Sequence, residues 1–297
     1  MRVLVTGANG LLGQKLCELL DAESGVELIA TARGNSRMTL QRGKFLTLDV
    51  TRQDDVEMVI SESKPDVVIH TAAMTQVDQC ETDQEVCWLN NVTAVNYVGK
   101  ACEHVEAHLI HLSTDFVFDG SHGPLDELEK PNPISHYGKS KLASELEVED
   151  LRNPWTIIRT VLVYGVTRDQ SRSNIVLWVK KSLEEGKTIR VVNDQWRTPT
   201  LAEDLAVGCW LAARKKALGI FHVSGSEMMT PYEIALRTAD HFGLDQSLIR
   251  ETNSTEFRQA AARPPKTGFI IEKARRELGY EPRTFREGLA LVAAQLA

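Results

Sequence analysis

The chain has 297 residues, of which 42% are hydrophobic and 25% charged, as in a globular protein with one large or two modest domains. Its net charge of −7 and isoelectric point of about 5.7 argue against a surface for nucleic acid or anionic membranes. Every apolar run is too short to cross a bilayer or to form a signal peptide. The five scattered cysteines predict free thiols in a cytoplasmic protein.

Short apolar segments alternate with helical patterns through the first half of the chain. Strands are predicted within RVLVT, GVELIATAR, GKFLTLDV, DVVIH, AHLIHLSTDFVFDG and NPWTIIRTVLVYG. This alternation is typical of βαβ units, so we expect an α/β fold with a doubly wound parallel sheet of the Rossmann type.

The alternation weakens after Gly165, where the sequence predicts a second, smaller lobe. Residues 1–165 form the predicted first domain, and 188–225, with the strand-like GIFHVSG, is predicted to return to it. Residues 166–187 and 226–297 are mostly helical with proline-rich connections, and they form the predicted substrate-binding lobe.

The first strand runs into a glycine-rich turn, GANGLLG, that precedes a helix. Glycines let backbone N–H groups approach a pyrophosphate, which then lies at the positive end of the helix. The spacing is one residue longer than the usual dinucleotide fingerprint, but its position between strand and helix favours a nucleotide site. The predicted cofactor residues here are Gly7, Asn9, Gly10, Leu11 and Gly13.

The residues after the second strand indicate which dinucleotide binds. A site for NAD(H) usually carries a carboxylate here, whereas this chain has Arg33, which suits a 2′-phosphate. The sequence therefore favours NADP(H), with NAD(H) as the alternative if Arg33 is only a solvated loop residue.

Tyr137 and Lys141 lie four residues apart at the start of a predicted helix, and therefore on one face of it. A nearby ammonium group stabilises a phenolate and lowers the pKa of a tyrosine. Thr114, at the end of a central strand, can hydrogen-bond a substrate oxygen. Together these three residues predict hydride transfer to a carbonyl group, with Lys141 also binding the nicotinamide ribose.

These motifs identify a resemblance to the extended short-chain dehydrogenase/reductases along nearly the whole chain, most closely to the dTDP-4-dehydrorhamnose reductase branch. The matching segments are the glycine turn, HTAA, VDQCE, STDFVFDG, the Tyr137/Lys141 pair, RTVLVYG, DQWRTPT and RPPKTGFIIEKARRELGY. The resemblance implies that Thr114, Tyr137 and Lys141 are catalytic, with Asn90 supporting a proton relay. It also implies that Asp49 and Val50 meet the adenine and that Ala72 and Ala73 line the cofactor.

The resemblance further implies that the C-terminal lobe binds a nucleotide-sugar. The candidate substrate-binding residues are Met74, Val77, Asp78, Asp115, Leu162, Asn174, Trp196, Arg197 and Arg263. Met74 and Leu162 depart from the family pattern, which often has an aromatic residue and a tryptophan there, so the identity of the sugar stays open. Arg197 and Arg263 stand beside prolines in separate loops, and we expect both to line one cleft that faces Tyr137.

The preferred interpretation is an NADPH-dependent reductase of a nucleotide-activated 4-keto-6-deoxy sugar. One alternative is a non-catalytic NADP(H)-binding regulatory subunit like that of methionine adenosyltransferase, and another is a nucleotide-sugar epimerase. A sugar dehydratase is disfavoured, because Phe116 stands where an acid is expected. Nucleic acid and membrane are not expected partners, a homodimer stays open, and the scattered histidines predict no metal site.

Overall fold

The computed structural model describes residues 1–169, 173–256 and 259–297. Eleven strands occur in the described residues, and their bounds are Arg2–Thr6 (β1), Glu27–Ala32 (β2), Lys44–Thr47 (β3), Val67–His70 (β4), His108–Thr114 (β5), Trp155–Thr160 (β6), Val163–Tyr164 (β7), Ile189–Val192 (β8), Thr200–Leu201 (β9), Gly219–His222 (β10) and Ile249–Thr252 (β11).

Ten α-helices lie in the same described ranges, with bounds Leu11–Ala22 (α1), Gln53–Ser63 (α2), Val77–Thr82 (α3), Gln84–Trp88 (α4), Ala94–His104 (α5), His136–Glu149 (α6), Ile175–Glu184 (α7), Ala202–Lys215 (α8), Pro231–His241 (α9) and Phe285–Leu296 (α10). A short π-helical turn at Leu89–Thr93 follows α4, and a second at Ala274–Leu278 precedes α10. None of the helices in the described residues is long and apolar enough to span a membrane.

Seven strands form one sheet in the order β10-β6-β5-β4-β1-β2-β3, and every neighbouring pair is parallel. The strand order reverses next to β1, and ligands of open α/β sheets bind at the carboxyl ends of the strands near that point. The Rossmann-type fold predicted from the sequence is confirmed.

The sheet is buried on both faces because its strands are almost continuously apolar. Val3 and Val5 of β1 pack in one hydrophobic cluster with α1 and α8, whereas Leu4 between them packs in the other with α2 and α5. The helices therefore cover both faces of the sheet, and polar residues lie at the carboxyl ends of its strands.

The sequence predicted that residues 188–225 return to the first domain. The structure instead divides this segment among different sheets. β10 joins the edge of the main sheet beside β6, but β8 pairs with β11 in a separate two-stranded sheet. The reason is that Ile189 and Val191, on one side of β8, are buried against α7 and α9. β8 therefore lies outside the main sheet.

The predicted strand NPWTIIRTVLVYG is also divided in the structure. β6 ends at Thr160, and Leu162 takes a left-handed backbone conformation with φ of 39°, which a strand cannot accommodate. The chain then forms β7, which pairs with β9 instead of the main sheet. This break turns the chain towards the second lobe.

Candidate active site

The glycine turn is built so tightly that side chains are excluded. Gly7 has φ of 69°, and a Cβ atom there would lie 2.7 Å from the Ala72 nitrogen. A Cβ atom on Gly13 would lie 2.2 Å from the Gly7 carbonyl oxygen. Helix α1 starts at Leu11. Gly10 is its N-cap residue, and no side chain accepts a hydrogen bond from the first turn. The first-turn N–H groups are therefore available to an anion such as a pyrophosphate.

Asn9 connects this turn to the loop that follows β2. Its side-chain amide donates to the Asn35 carbonyl at 2.9 Å and accepts from the Arg37 N–H at 3.0 Å. Arg33 is exposed in the same loop, and its charge acts on the Asp49 carboxylate after β3. Burial alone would raise the pKa of Asp49, but hydrogen bonds from Thr51, helped by Arg33, lower it.

The remaining predicted cofactor residues lie on the same edge of the sheet. Val50 is buried beside Asp49, Ala72 packs under Gly7, and Ala73 is exposed just beyond it. The structure therefore brings together all the cofactor residues predicted at the ends of β1, β3 and β4.

Tyr137 lies in the first turn of α6, directly beside the end of β5. The Ser135 hydroxyl begins the helix by accepting from the Gly138 N–H at 3.1 Å. A Cβ atom on Gly138 would lie 2.2 Å from the Phe116 carbonyl oxygen, so only glycine permits this close approach. The phenol is buried beside Thr114, and its ring meets the Phe116 ring edge to face, with 5.7 Å between the ring centroids.

Lys141 lies one turn further along α6 and is fully enclosed, with 2% of its surface exposed. Its ammonium nitrogen lies 3.2 Å from His111 Nε2, which also lies 2.9 Å from the Ser144 hydroxyl. Burial lowers the pKa of Lys141 to about 8, although Glu145 opposes this shift. Lys141 is therefore charged at neutral pH.

Burial raises the pKa of Tyr137, and the nearby Thr114 hydroxyl only partly opposes this shift. The sequence predicted a lowered pKa for Tyr137, whereas burial of the phenol raises it in the free protein. A neutral phenol is nevertheless the form that can donate a proton, as reduction of a carbonyl requires.

The structure does not bring Asn90 to this cluster. Its side-chain amide donates to the Val86 carbonyl at 2.8 Å on the half-exposed side of the helix. The adjacent Asn91 is fully buried, accepts from the Met74 N–H at 2.8 Å, and donates to the Met74 carbonyl and the Ser140 hydroxyl, each at 3.0 Å. Asn91, not Asn90, therefore holds the loop beside Tyr137.

A helical pattern in the sequence could have identified Asn91. Positions 87, 91, 95, 98 and 102 recur at helical spacing, and all of them except 91 are apolar or cysteine. Asn91 is therefore on the buried stripe and Asn90 is outside it.

Asp115 and Arg197 form a buried polar connection between the two lobes. Asp115 accepts from the Thr114 hydroxyl at 3.0 Å and from the Thr267 hydroxyl, and lies 3.7 Å from Arg197 Nε. Arg197 also donates to the Pro264 carbonyl at 2.7 Å. Arg197 thus braces the loop behind the site, and the prediction that it lines a cleft with Arg263 is not supported by the structure.

Arg263 does line a cavity of about 430 Å³ in the second lobe. Leu162 and Asn174 line it as well, and Asn174 also caps α7 by accepting from the Leu177 N–H at 3.3 Å. Sequence reasoning missed three further lining residues that can contact a base or a phosphate, namely Trp178, Arg190 and Gln195.

Three predicted substrate residues lie on or beside α3. Met74 and Val77 pack against Tyr137, whereas Asp78 binds Arg263 in two contacts of 2.7 and 3.0 Å. Asp78 is therefore committed to an ion pair at the cavity. Trp196 is 37% exposed, and its backbone N–H donates to the Pro265 carbonyl at 2.7 Å.

The described residues contain no group of three or more histidine, cysteine or acidic side chains that could hold a metal ion. A glycine turn at β1, a Thr-Tyr pair at β5 and a buried lysine together define an oxidoreductase of the extended short-chain dehydrogenase/reductase type.

The family model described as the RmlD substrate binding domain matches residues 1–297, and the chain belongs to that family. A dTDP-4-dehydrorhamnose reductase from Clostridium acetobutylicum superposes with a TM-score of 0.88 and is 31% identical over 100% of this chain and 99% of its own. The enzyme of the same name from Bacillus anthracis, solved in complex with NADP, gives a TM-score of 0.85 and is 30% identical, covering 99% of both chains.

Curated relatives include two different kinds of protein. The "Probable low-salt glycan biosynthesis reductase Agl14" of Haloferax volcanii is 32% identical over 99% of this chain and 98% of its own length. The methionine adenosyltransferase 2 subunit beta of Xenopus laevis is 35% identical over 84% of this chain and 74% of its own.

We expect Asn91→Ala to lower the free energy of unfolding by about 1–3 kcal/mol, because the partly buried Met74 amide and carbonyl lose their partner. Asn90→Ala removes a half-exposed contact and should change it by less than about 0.5 kcal/mol. Urea denaturation of both variants measures the difference. Equal losses would contradict the placement of Asn91 in the buried network.

Proposed function

We propose that the protein is an NADPH-dependent reductase of a nucleotide-activated 4-keto-6-deoxy sugar. The observation that carries the proposal is the position of the buried Tyr137 phenol beside Thr114, at the same sheet edge as the glycine turn and one helical turn from the enclosed Lys141. The five free thiols suit a reducing compartment such as the cytoplasm.

The residues at the turn fit a dinucleotide phosphate. Gly7 and Gly13 leave room that a Cβ atom would fill, and the uncapped first turn of α1 presents N–H donors to an anion. Exposed Arg33 lies where a 2′-phosphate can be bound. NADP(H) is therefore favoured, with NAD(H) as the alternative.

NADP(H), when bound, supplies the hydride that the carbonyl carbon accepts. Thr114 holds the carbonyl oxygen by a hydrogen bond, and Tyr137 donates its phenolic proton to that oxygen as the alcohol forms. The Lys141 ammonium stabilises the resulting phenolate. Met74 and Val77 limit access of water on the α3 side of the phenol.

The cavity beside Arg263 suits the nucleotide part of the substrate. Arg190 and Arg263 offer positive charge for a diphosphate, and Trp178, which is 40% exposed, offers a face for a base. The structures of dTDP-4-dehydrorhamnose reductases that resemble this chain favour a dTDP-linked sugar.

A non-catalytic role is the second candidate, favoured by the likeness to subunit beta of methionine adenosyltransferase 2. Incubation with NADPH and a panel of dTDP-4-keto-6-deoxy sugars separates the two roles. A reductase consumes NADPH in proportion to the sugar, whereas a regulatory subunit binds NADPH without consuming it. An epimerase would convert the sugar without net loss of NADPH.

We expect Tyr137→Phe to reduce turnover by about 10²–10⁴-fold while NADPH affinity is kept, because only the proton donor is lost. Tyr97→Phe, on α5 away from the site, is the matched control and should leave turnover unchanged. Steady-state rates and NADPH titration test this. Near-native turnover of Tyr137→Phe would show that another group is the acid.

We expect the native protein to bind NADPH more tightly than NADH, and Arg33→Ala to shrink that preference, because the 2′-phosphate loses its cation. Arg42→Ala is a suitable control, since that guanidinium instead binds the carbonyls of Asp21 and Glu23. Fluorescence titration with both cofactors measures the ratio. Equal or tighter binding of NADH by the native protein would overturn the argument.

Arg263→Ala should raise KM for the sugar nucleotide by about 10–100-fold and leave NADPH affinity nearly unchanged, as expected for a charged hydrogen bond to substrate alone. Asp78→Asn keeps the size of the side chain but releases Arg263 from its carboxylate, so KM should stay level or fall. If both variants only lost stability, the ion pair would be a brace and not part of the substrate site.

A further inference from the structure

His111 of β5 lies directly beside the Lys141 ammonium group inside the protein. Its Nε2 is 3.2 Å from the Lys141 nitrogen and 2.9 Å from the Ser144 hydroxyl. All three side chains are enclosed, with 2% of Lys141, 1% of His111 and none of Ser144 exposed. The contact between the imidazole and the ammonium group therefore belongs to the packed interior and not to the surface.

The other buried histidines that the structure describes each contact a neutral oxygen atom. These contacts join His70 to the Thr6 hydroxyl, His108 to the Thr156 hydroxyl and His222 to the Leu125 carbonyl, at 2.8, 2.8 and 3.2 Å. Among the buried histidines within 1–169, 173–256 and 259–297, only His111 has a cation within hydrogen-bonding distance. This contact distinguishes His111 from histidines that pair only with a hydroxyl or carbonyl group.

The two neighbours of His111 Nε2 favour opposite tautomers of the imidazole. An ammonium group has no lone pair, so Nε2 must accept from it, and the ring proton then lies on Nδ1. The Ser144 hydroxyl donates to the Lys141 carbonyl at 2.7 Å, which leaves its oxygen as an acceptor for an Nε2–H group. The charge on Lys141 therefore decides which nitrogen of His111 carries the proton.

Titratable and charged groups face this pair from several elements. They are Tyr137 and Glu145 on α6, Cys87 on α4, Arg159 on β6 and His70 on β4, whose ring stacks on that of His111 at 5.7 Å. Burial holds the pKa of His111 well below its ordinary value, and the charge of Lys141 adds to this shift. His111 is therefore neutral, and it acts on the ammonium group through its lone pair.

We propose that His111 is a positioning residue for Lys141, which accepts a hydrogen bond from the ammonium group through Nε2 and keeps it charged while Tyr137 gives up its proton. The inference rests on the proposed reduction, in which the ammonium group stabilises the phenolate. Hydrogen bonds to charged groups are stronger than those between neutral groups, so the enclosed charge is harder to keep without this acceptor. A neutral Lys141 amine could not stabilise the phenolate.

The charge on Lys141 is measured without substrate, by NMR titration of protein labelled with ¹³C at the lysine ε-carbon. Lys141→Arg identifies the signal by removing it. In the native protein the midpoint should reflect the Lys141 pKa of about 8. His111→Leu keeps an apolar side chain in the space but removes the acceptor, so the midpoint should fall by about 1–2 pH units. The ammonium form exists below the midpoint, so this variant loses charge at neutral pH.

Two further variants separate positioning from packing. His111→Gln offers a side-chain carbonyl oxygen to the ammonium group, so its Lys141 midpoint should lie close to the native value. His108→Leu removes another buried histidine of β5, whose partner is the Thr156 hydroxyl, and should lower stability without moving the midpoint. An unchanged midpoint in His111→Leu, or an equal shift in His108→Leu, would overturn the proposal.

Turnover should follow the Lys141 charge. At pH 7, kcat of His111→Leu should fall by about 2–10-fold with KM for the sugar nucleotide unchanged, and the alkaline limb of its pH–rate profile should lie below the native one. A variant that had only lost folded protein would be slower at every pH, and its limb would not move. If the native protein reduced no sugar, the proposed function would fail, whereas the NMR titration would still test His111.

The native protein also decides the proposal by itself, whether or not the variants fold. In ¹⁵N NMR of labelled histidines, His111 should carry its proton on Nδ1 at pH 7. The proton should move to Nε2 at higher pH, with the same midpoint as the Lys141 signal. A proton on Nε2 of His111 at pH 7 would contradict the proposal.

Discussion

The site depends on keeping the Lys141 charge inside the protein. An ammonium group with almost no exposed surface is costly unless nearby groups stabilise it, and here the carboxylate of Glu145 does so electrostatically. Glu145 is itself held in two bonds, of 2.6 and 2.9 Å, by the buried Arg159 of β6. Neutral His111 contacts the ammonium from β5. The packing of α6 on the sheet therefore fixes the charge behind Tyr137.

A second set of contacts connects loops outside the main sheet to the end of β5 and to α3. Arg197 and Thr267 both reach Asp115, the residue next to Thr114, while Arg263 reaches Asp78 on α3. Polar residues of the loops 194–200 and 261–267 therefore lie near the end of β5, although neither loop belongs to the main sheet.

Local patterns in the sequence predict the parts of the structure that local physics determines. The glycine turn, the buried strands and the helical pair Tyr137/Lys141 follow from backbone sterics and periodicity. Partners distant in sequence do not follow, as the errors show. Arg197 pairs with carbonyl groups more than sixty residues away, and β8 pairs with β11. The family resemblance implied Asn90, whereas Asn91 makes the buried contacts. The sequence predicted a lowered pKa for Tyr137, but burial raises it, and the burial of one side chain cannot be predicted from the sequence of its helix alone.

The central claim is that Thr114, Tyr137 and Lys141 deliver a proton to a carbonyl that accepts hydride from NADPH. Its most direct test uses NADPH carrying deuterium on the transferred position together with a dTDP-4-keto-6-deoxy sugar, followed by mass spectrometry and NMR of the product. The account predicts deuterium on carbon 4 of the sugar, in the amount of NADPH consumed. Tight binding of NADPH with no deuterium transferred to any sugar of the panel would contradict it.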